Sequence, residues 1–260
     1  MSDKDEITIT ATIVLYNDNV NELLKAIDSF LNTSISKKLY LVDNSPTDKL
    51  KTVANHSDIE YIFNGKNIGF GGGHNSVINK LKEISKYHLI LNPDITFKST
   101  VLPTLIKAIE KEEELAMIAP KVLFLNGEHQ FTCRRYPSFF ELFVRRSGIF
   151  KRLFKSLIEN GEYKDSILTK PFYPDFLQGC FMLFKTEDFI KIKGFDERYF
   201  LYMEDVDICK KIDAIGKKKM YYPKEEIVHI LKKGSSKNLN LFMIHFISSI
   251  KYFFKWRFKK

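Results

Sequence analysis

Thr8–Tyr16 reads TITATIVLY, Lys38–Asp43 reads KLYLVD and Tyr87–Leu91 reads YHLIL. These segments are short and rich in β-branched and aliphatic residues, which predicts buried strands. Asn21–Leu31 lies between the first two and places Leu23, Leu24, Ile27, Phe30 and Leu31 at helical spacing. Ile59–Phe63 adds a strand pattern, Val77, Leu81 and Ile84 a further helical one, and Leu115–Ala119 (LAMIA) a fifth strand. Strands alternating with helices predict an α/β fold with a mostly parallel central sheet flanked by helices. Ligands of such sheets bind beyond the carboxyl ends of the strands. Asn17, Asp43, Gly69–Asn75 and Asn92–Asp94 fall there.

After Pro120 the rhythm changes. Residues 121–175 hold a basic, Phe-rich stretch without a clear βα repeat. A strand pattern resumes at Phe176 (FLQGCFMLF), followed by a helix start at Thr186, a turn at Gly194 and a helix from about Glu204. Leu239–Phe258 ends the chain as a further helical pattern. With no repeat and no low-complexity linker, the expectation is one continuous α/β body.

Among 260 residues, 41 are Lys or Arg and 32 are Asp or Glu, giving a formal charge of +9. Hydrophobic residues at 44% and charged residues at 28% exclude a disordered tail, a collagen-like fibre and a disulfide miniprotein. The 23 Phe set against a single Trp, with the basic excess, suit an anionic partner. Cys133, Cys180 and Cys209 lack CxxC spacing and read as reduced thiols of a cytosolic protein. The polar, acidic N-terminus does not resemble a signal peptide, and no apolar run reaches the ~18 residues of a spanning helix.

Three motifs carry candidate chemistry. In Asn67–Asn75 (NIGFGGGHN), glycines followed by a helix pattern let backbone N–H groups approach a diphosphate or sugar, or form only a flexible turn. The spacing does not fit a dinucleotide fingerprint, because the third glycine position falls on His74, and there is no GK[ST] of a P-loop. Asn92-Pro93-Asp94 follows a strand, where a carboxylate can hold Mg²⁺ or Mn²⁺ against phosphates or simply shape a turn. Glu204, Asp205 and Asp207 open a helix. They are either dipole-stabilising charges or the source of a general base. His229 lies on a short apolar segment, as a core residue or as a partner of Asp94 in a metal site.

Together these pieces resemble family 2 glycosyltransferases with a GT-A fold, in the branch that contains bacterial rhamnosyltransferases. The resemblance rests on VLYN (14–17), VDNSP (42–46), NIGFGGGHN (67–75), LNPDI (91–95), QGCFMLF (178–184), GFDERYFLYMEDVDIC (194–209) and VHILKKGSS (228–236). It implies a GT-A domain over residues 1–236, with a nucleotide-binding half to about 120, an acceptor-side half from about 121, and a basic aromatic C-terminal helix over 237–260. It also implies inverting transfer of a sugar to a hydroxyl of a lipid-linked bacterial surface polysaccharide, with L-rhamnose from dTDP-rhamnose expected. A UDP-hexose or UDP-N-acetylhexosamine donor is the alternative. Asp205, with Glu204 beside it, matches the catalytic base. Tyr16, Asn17, Asp43, Asn67, Gly69, Gly73, Asn75 and Asp94 match nucleotide-sugar-binding positions. Asp94 corresponds to the last carboxylate of the family's metal-binding DxD motif, whose first carboxylate is replaced by Asn92. Asp94 and His229 are then the expected ligands of Mg²⁺ or Mn²⁺.

Pro137–Asn160 and the C-terminal FFKWRFKK interleave Phe with Arg145, Arg146, Lys151, Arg152, Lys155, Lys255, Arg257, Lys259 and Lys260, and Lys251 lies just before the latter. Basic amphipathic helices of this kind can lie in the headgroups of an anionic bilayer. The alternative is packing on the body or on a second copy of the chain. The expected location is cytoplasmic, peripheral on the inner membrane's cytoplasmic face. No RNP, zinc-finger or helix-turn-helix pattern supports nucleic-acid binding, and the incomplete glycine fingerprint disfavours an NAD(P)-dependent oxidoreductase.

Overall fold

The computed structural model describes residues 7–82, 84–144, 152–164, 168–230 and 239–257. Their strands are β1 (Ile7–Leu15), β2 (Lys37–Asp43), β3 (Ile59–Phe63), β4 (Ser85–Leu91), β5 (Ile95–Phe97), β6 (Leu115–Leu123), β7 (Cys133–Arg134), β8 (Phe176–Leu177), β9 (Phe181–Lys185) and β10 (Lys218–His229). The main sheet runs β3-β2-β1-β4-β9-β6-β10-β5, and β7 pairs with β8 beside it. The strands β3, β2, β1 and β4 are mutually parallel. The β9 strand inserts antiparallel to both β4 and β6. Strands β6 and β10 are parallel to each other, and β5 closes the edge antiparallel to β10. The fold is therefore α/β of the GT-A type, with a helix at the C-terminus.

Alternation along each strand divides the core between two faces of the sheet. One face buries Ile9, Ala11, Ile13, Leu89 and Leu91 against Leu23 and Phe30 of the Val20–Leu31 helix and Leu102 and Leu105 of the Val101–Ile109 helix. Asn19 starts the first of these helices, its side chain accepting from the amides of Asn21 and Glu22. The other face buries Val42, Ile90, Met182 and Phe184 against Phe189, Val206, Ile208 and Tyr252. Thr10 and Thr12 point to this second face, where their hydroxyls lie 2.9 and 3.4 Å from the ring nitrogens of the buried His88.

Several expectations are redrawn. The glycine stretch is itself a helix, Phe70–Asn75, followed by the four-residue helix Ile78–Leu81. FLQGCFMLF is not one strand: Gln178-Gly179-Cys180 separates β8 from β9, and the two belong to different sheets. The fifth strand pattern extends to Leu123, and β5 and β10 form where the sequence carries no clear strand pattern. β10 carries Lys, Tyr and Glu around Pro223, with a register shift there, so its alternation is broken. Within Pro137–Asn160 the described helices are Phe139–Val144 and Lys155–Gly161; Arg145, Arg146 and Lys151 lie outside the described residues. The same holds for residues 231–236 of VHILKKGSS and for Phe258, Lys259 and Lys260.

The C-terminal helix, Leu239–Trp256, has two faces. Ser248, Ser249 and Tyr252 are buried against the body. Leu239, Phe242, Met243, Phe246, Ile247 and Phe254 are exposed. Among the described residues, no helix is long and apolar enough to cross a membrane.

Candidate functional site

Because β1, β2 and β4 run parallel, their carboxyl ends meet at one sheet edge, and the candidate residues gather there. Asp43 ends β2 and is fully buried. Its Oδ1 accepts from the Ser45 amide (2.8 Å) and its Oδ2 from the Tyr61 hydroxyl (2.5 Å). Burial, and then this bond and the Asp43 charge, push the Tyr61 hydroxyl well above its usual range. Asn17 follows β1 in the left-handed region (φ 54°), with its amide donating to Ser45 Oγ (2.9 Å). Tyr16 is exposed at the same rim.

The glycine helix is wedged between this edge and the loop that precedes Glu204. Asn67 Oδ1 accepts from the Gly69 amide (2.9 Å), and Asn44 Nδ2 donates to the Gly69 carbonyl (3.1 Å). Gly69 has φ +84°, and a Cβ there would sit 2.4 Å from the Phe200 carbonyl oxygen. A Cβ on Gly73 would come within 2.7 Å of both Val14 methyls. The glycines thus allow close backbone approach. Asn75 clamps the opposite loop: Nδ2 donates to the Phe195 carbonyl (2.9 Å) and to Glu197 (3.0 Å), while Oδ1 accepts from the Phe195 amide (2.9 Å). Its amide holds the two loops together, a positioning contact rather than a free ligand group.

Asp94 follows β4 and meets His229 at the end of β10. The pairing of β10 with β5 sets Ile95 opposite His229, and Asp94 Oδ1 lies 3.3 Å from His229 Nε2. Gln130 Nε2 donates to the His229 carbonyl (2.9 Å), which turns Gln130 Oε1 toward His229 Nδ1 at 3.0 Å. That orientation makes Nδ1 the donor, so Nε2 faces the carboxylate. Burial opposes charge on His229, but hydrogen bonds to Asp94 and Cys180 outweigh it and hold the imidazole up at about 10. In the absence of a cation the two groups therefore form a partly buried ion pair, with the proton on Nε2 facing Asp94. Sequence reasoning missed Gln130, which has no motif around it.

Glu204 and Asp205 open the Glu204–Ala214 helix after two successive left-handed residues, Tyr202 (φ 69°) and Met203 (φ 70°). Such conformations in large side chains are strained and cluster where geometry matters for function. Asp205 Oδ1 accepts from the Val206 amide (2.9 Å), and the Gly179 amide also bonds its carboxylate. Burial raises the Asp205 carboxyl above its usual range, and these amides only partly offset it. Glu204 is more buried, its Oε2 has no hydrogen-bond partner, and burial followed by the Asp205 charge raises it strongly.

One short segment joins the two carboxylate centres. Cys180 bonds His229 on one side, and its carbonyl accepts from the Asn92 amide (3.0 Å). Its neighbour Gly179 abuts Asp205 and the ring of Phe70. Asp94, His229 and Asp205 are thus linked through residues 179–180, with the glycine helix alongside. A desolvated carboxylate, the Asp94–His229 pair and a close-approach backbone therefore share one rim.

The profile of glycosyl transferase family 2 matches residues 10–192, and that of the N-terminal domain of galactosyltransferase matches residues 169–233. Rhamnosyltransferase WbbL of Escherichia coli K12 is 30% identical over 203 residues, covering 74% of this chain and 72% of that protein. The N-acetylglucosaminyl-diphospho-decaprenol L-rhamnosyltransferase of Mycobacterium tuberculosis H37Rv is 26% identical over 214 residues, covering 76% and 68%. Among solved structures, GalNAc-T7 with UDP, GalNAc and Mn²⁺ superposes at a TM-score of 0.64 with 15% identity, over 91% of this chain. The mannosyltransferase PcManGT of Pyrobaculum calidifontis, with GDP-Man and Mn²⁺, does so at 0.62 with 14% identity, over 95%. The chain spans 45% of the first structure's length and 65% of the second's.

Proposed function

The chain belongs to glycosyltransferase family 2, and from that premise we propose an inverting transfer of L-rhamnose from dTDP-rhamnose to a hydroxyl of a lipid-linked saccharide. The observation that carries the proposal is the desolvated Asp205 carboxylate on the same rim as the Asp94–His229 pair. Identity to two rhamnosyltransferases supports the sugar, and the diphospho-decaprenol in one of their names supports the acceptor class. A UDP-hexose or UDP-N-acetylhexosamine donor is the second reading, favoured by the UDP in one structural neighbour.

In this reading residues 1 to about 120 hold the donor and residues from about 121 to 236 face the acceptor. Asp205 accepts the proton of the acceptor hydroxyl as oxygen attacks the anomeric carbon on the face opposite the nucleotide. Base catalysis of this kind contributes typically ~10²–10⁴-fold. Burial raises its pKa, which makes the carboxylate a stronger base than an exposed one. The Asp43 rim and the glycine helix hold the nucleotide sugar, with Tyr16, Asn17, Asn67, Gly69 and Gly73 lining that side.

The Asp94–His229 pair fits a divalent cation. Nδ1 is committed to Gln130, so a cation that displaced the Nε2 proton would meet the His229 lone pair and Asp94 Oδ1 at the same place. Mg²⁺ or Mn²⁺ held there would neutralise charge developing on the leaving diphosphate. Among the described residues no third protein ligand joins the pair, which leaves room for phosphate oxygens.

The test is a donor screen with dTDP-, UDP- and GDP-sugars and an N-acetylglucosaminyl-diphospho-lipid acceptor. Transfer from dTDP-rhamnose is expected, falling ~10²–10⁴-fold in Asp205→Asn while dTDP binding persists. Near wild-type turnover in that variant would remove Asp205 from the mechanism.

The exposed apolar face of the Leu239–Trp256 helix supports peripheral docking on the cytoplasmic leaflet beside such an acceptor. Binding to vesicles should rise with anionic lipid and fall with salt. Cosedimentation indifferent to both would end the membrane proposal.

A further inference from the structure

The inner face of the Leu239–Trp256 helix meets the helix that carries Asp205. Asp207 is fully buried on that helix, two residues beyond Asp205. At 100° per residue the two carboxylates leave the helix on nearly opposite sides. Asp205 faces Gly179, and Asp207 faces the C-terminal helix. There Lys255 Nζ reaches the Asp207 carboxylate at 2.7 Å, and the Trp256 indole N–H donates to Asp207 Oδ1 at 2.8 Å. The Tyr199 hydroxyl adds a third donor at 3.3 Å.

The same lysine ties down the preceding loop. Lys255 Nζ also bonds Asp196 Oδ2 at 2.7 Å, and Asp196 is gripped as well by Arg198. Two further contacts run from the C-terminal helix to carbonyls of that loop: Lys251 Nζ to Arg198 (2.6 Å) and Ser248 Oγ to Leu201 (3.0 Å). The strained Tyr202-Met203 turn is therefore fixed from one side by the glycine helix, through Phe200 and Asn75, and from the other by the C-terminal helix.

We infer that Lys255 and Trp256 are positioning residues for transfer, setting the rotation of the Glu204–Ala214 helix, and hence the aim of Asp205, through Asp207. The inference rests on Asp205 being the base. It changes how the basic C-terminus is understood: Lys255 belongs to a buried ion pair with the catalytic helix, not to a membrane-facing charge cluster. A reacting group displaced by about 1 Å can cost ~10²-fold in rate even when the change lies away from the chemistry.

The experiment compares Trp256→Phe, which keeps an aromatic ring and loses the N–H donor, with Lys255→Met and Lys255→Arg. With dTDP-rhamnose and the lipid-linked acceptor, Trp256→Phe should lower kcat about tenfold with the donor KM within about twofold. Lys255→Met should lower kcat further, and Lys255→Arg should restore most of it. Amide exchange across residues 196–207 provides a substrate-free readout. It should quicken in Trp256→Phe while the thermal midpoint stays within a few degrees. Trp256 is the only tryptophan, so its emission reports whether the contact survives in the two Lys255 variants.

Unchanged kcat and unchanged exchange in Trp256→Phe would overturn the inference, whatever Lys255→Met does. A fall in kcat matched by an equal loss of stability, without rescue by Lys255→Arg, would also overturn it, because that pattern belongs to a merely structural contact. Asp205→Asn, run alongside, separates the two levels. Turnover in Asp205→Asn defeats the base assignment, whereas an inactive Asp205→Asn beside a fully active Trp256→Phe defeats only the positioning role.

Discussion

Two buried carboxylate sites lie on the same rim and are treated in opposite ways. Each Asp43 oxygen has a donor, the Ser45 amide and the Tyr61 hydroxyl. Glu204 is comparably buried, yet one of its oxygens has no partner, and its neighbour Asp205 is satisfied only by backbone amides. A fully bonded carboxylate is a fixture: it holds the β2 rim in one shape before any ligand arrives. A desolvated, incompletely bonded pair holds proton affinity instead, at a cost in stability, as expected where a base must act. The Asp43 rim is built for shape, and the Glu204–Asp205 rim holds proton affinity.

The two regions touch at Gly69, and substitution there should produce the largest effect. Gly69→Ala would place a Cβ 2.4 Å from the Phe200 carbonyl oxygen in a backbone conformation with φ +84°. That carbonyl also accepts from the Phe70 amide at 3.1 Å, so it cannot move freely. Strain of this kind costs ~1–3 kcal/mol before the clash is added. A loss of about 3 kcal/mol is expected, or roughly 6–12 °C in thermal midpoint, together with transfer activity. A variant melting within 2 °C of the parent would show that the glycine helix and the Glu204 loop are not rigidly joined.

Much of the first region was legible in the chain. Short apolar, β-branched runs mark β1 to β4, and the strand-helix alternation alone sets Asp43 and Asp94 at one sheet edge. The second region was legible as a motif but not as a geometry. Nothing in FLYMED shows that Tyr202 and Met203 adopt positive φ, because that conformation is imposed by contacts with Gly69, Asn75 and the C-terminal helix rather than by local preference. Gln130 and Trp256 are the clearest omissions. Gln130 bonds His229 twice and Trp256 bonds Asp207 once, each across about 50 or more positions, and such pairings leave no periodic signal. The basic C-terminus was misleading for a related reason: charge interleaved with aromatics reads as a surface, yet Lys255 is turned inward.

Glu204→Gln should give an intermediate effect of opposite sign. Burial raises the Glu204 carboxyl in the folded state, so the native state binds a proton more tightly than the unfolded one. Stability from this group is then present below the unfolded pKa of about 4.3 and is lost as pH rises through the higher folded value. A neutral isostere removes that loss. Glu204→Gln should gain about 1–2 kcal/mol at pH 7, with the gain shrinking toward pH 4, as measured by urea melts at several pH values. A gain independent of pH, or a loss, would mean that the carboxyl is satisfied in solution and that the contrast with Asp43 fails.

Tyr61→Phe should give the smallest effect and probes the opposite side of the comparison. The hydroxyl is one of two donors to Asp43, and the Ser45 amide remains when it is removed. The ring is only partly buried, so water can reach the freed oxygen and limit the penalty to about 1 kcal/mol. The pH signature follows from the raised Tyr61 hydroxyl. The native state keeps a proton that the unfolded chain loses, so stability falls with pH above about 10. In Tyr61→Phe that alkaline slope should disappear, while nucleotide binding weakens severalfold without a change in the pH dependence of transfer. If the variant instead altered the pH profile of transfer, Asp43 would take part in proton chemistry, and the division between a shape-holding rim and a proton-handling rim would have to be abandoned.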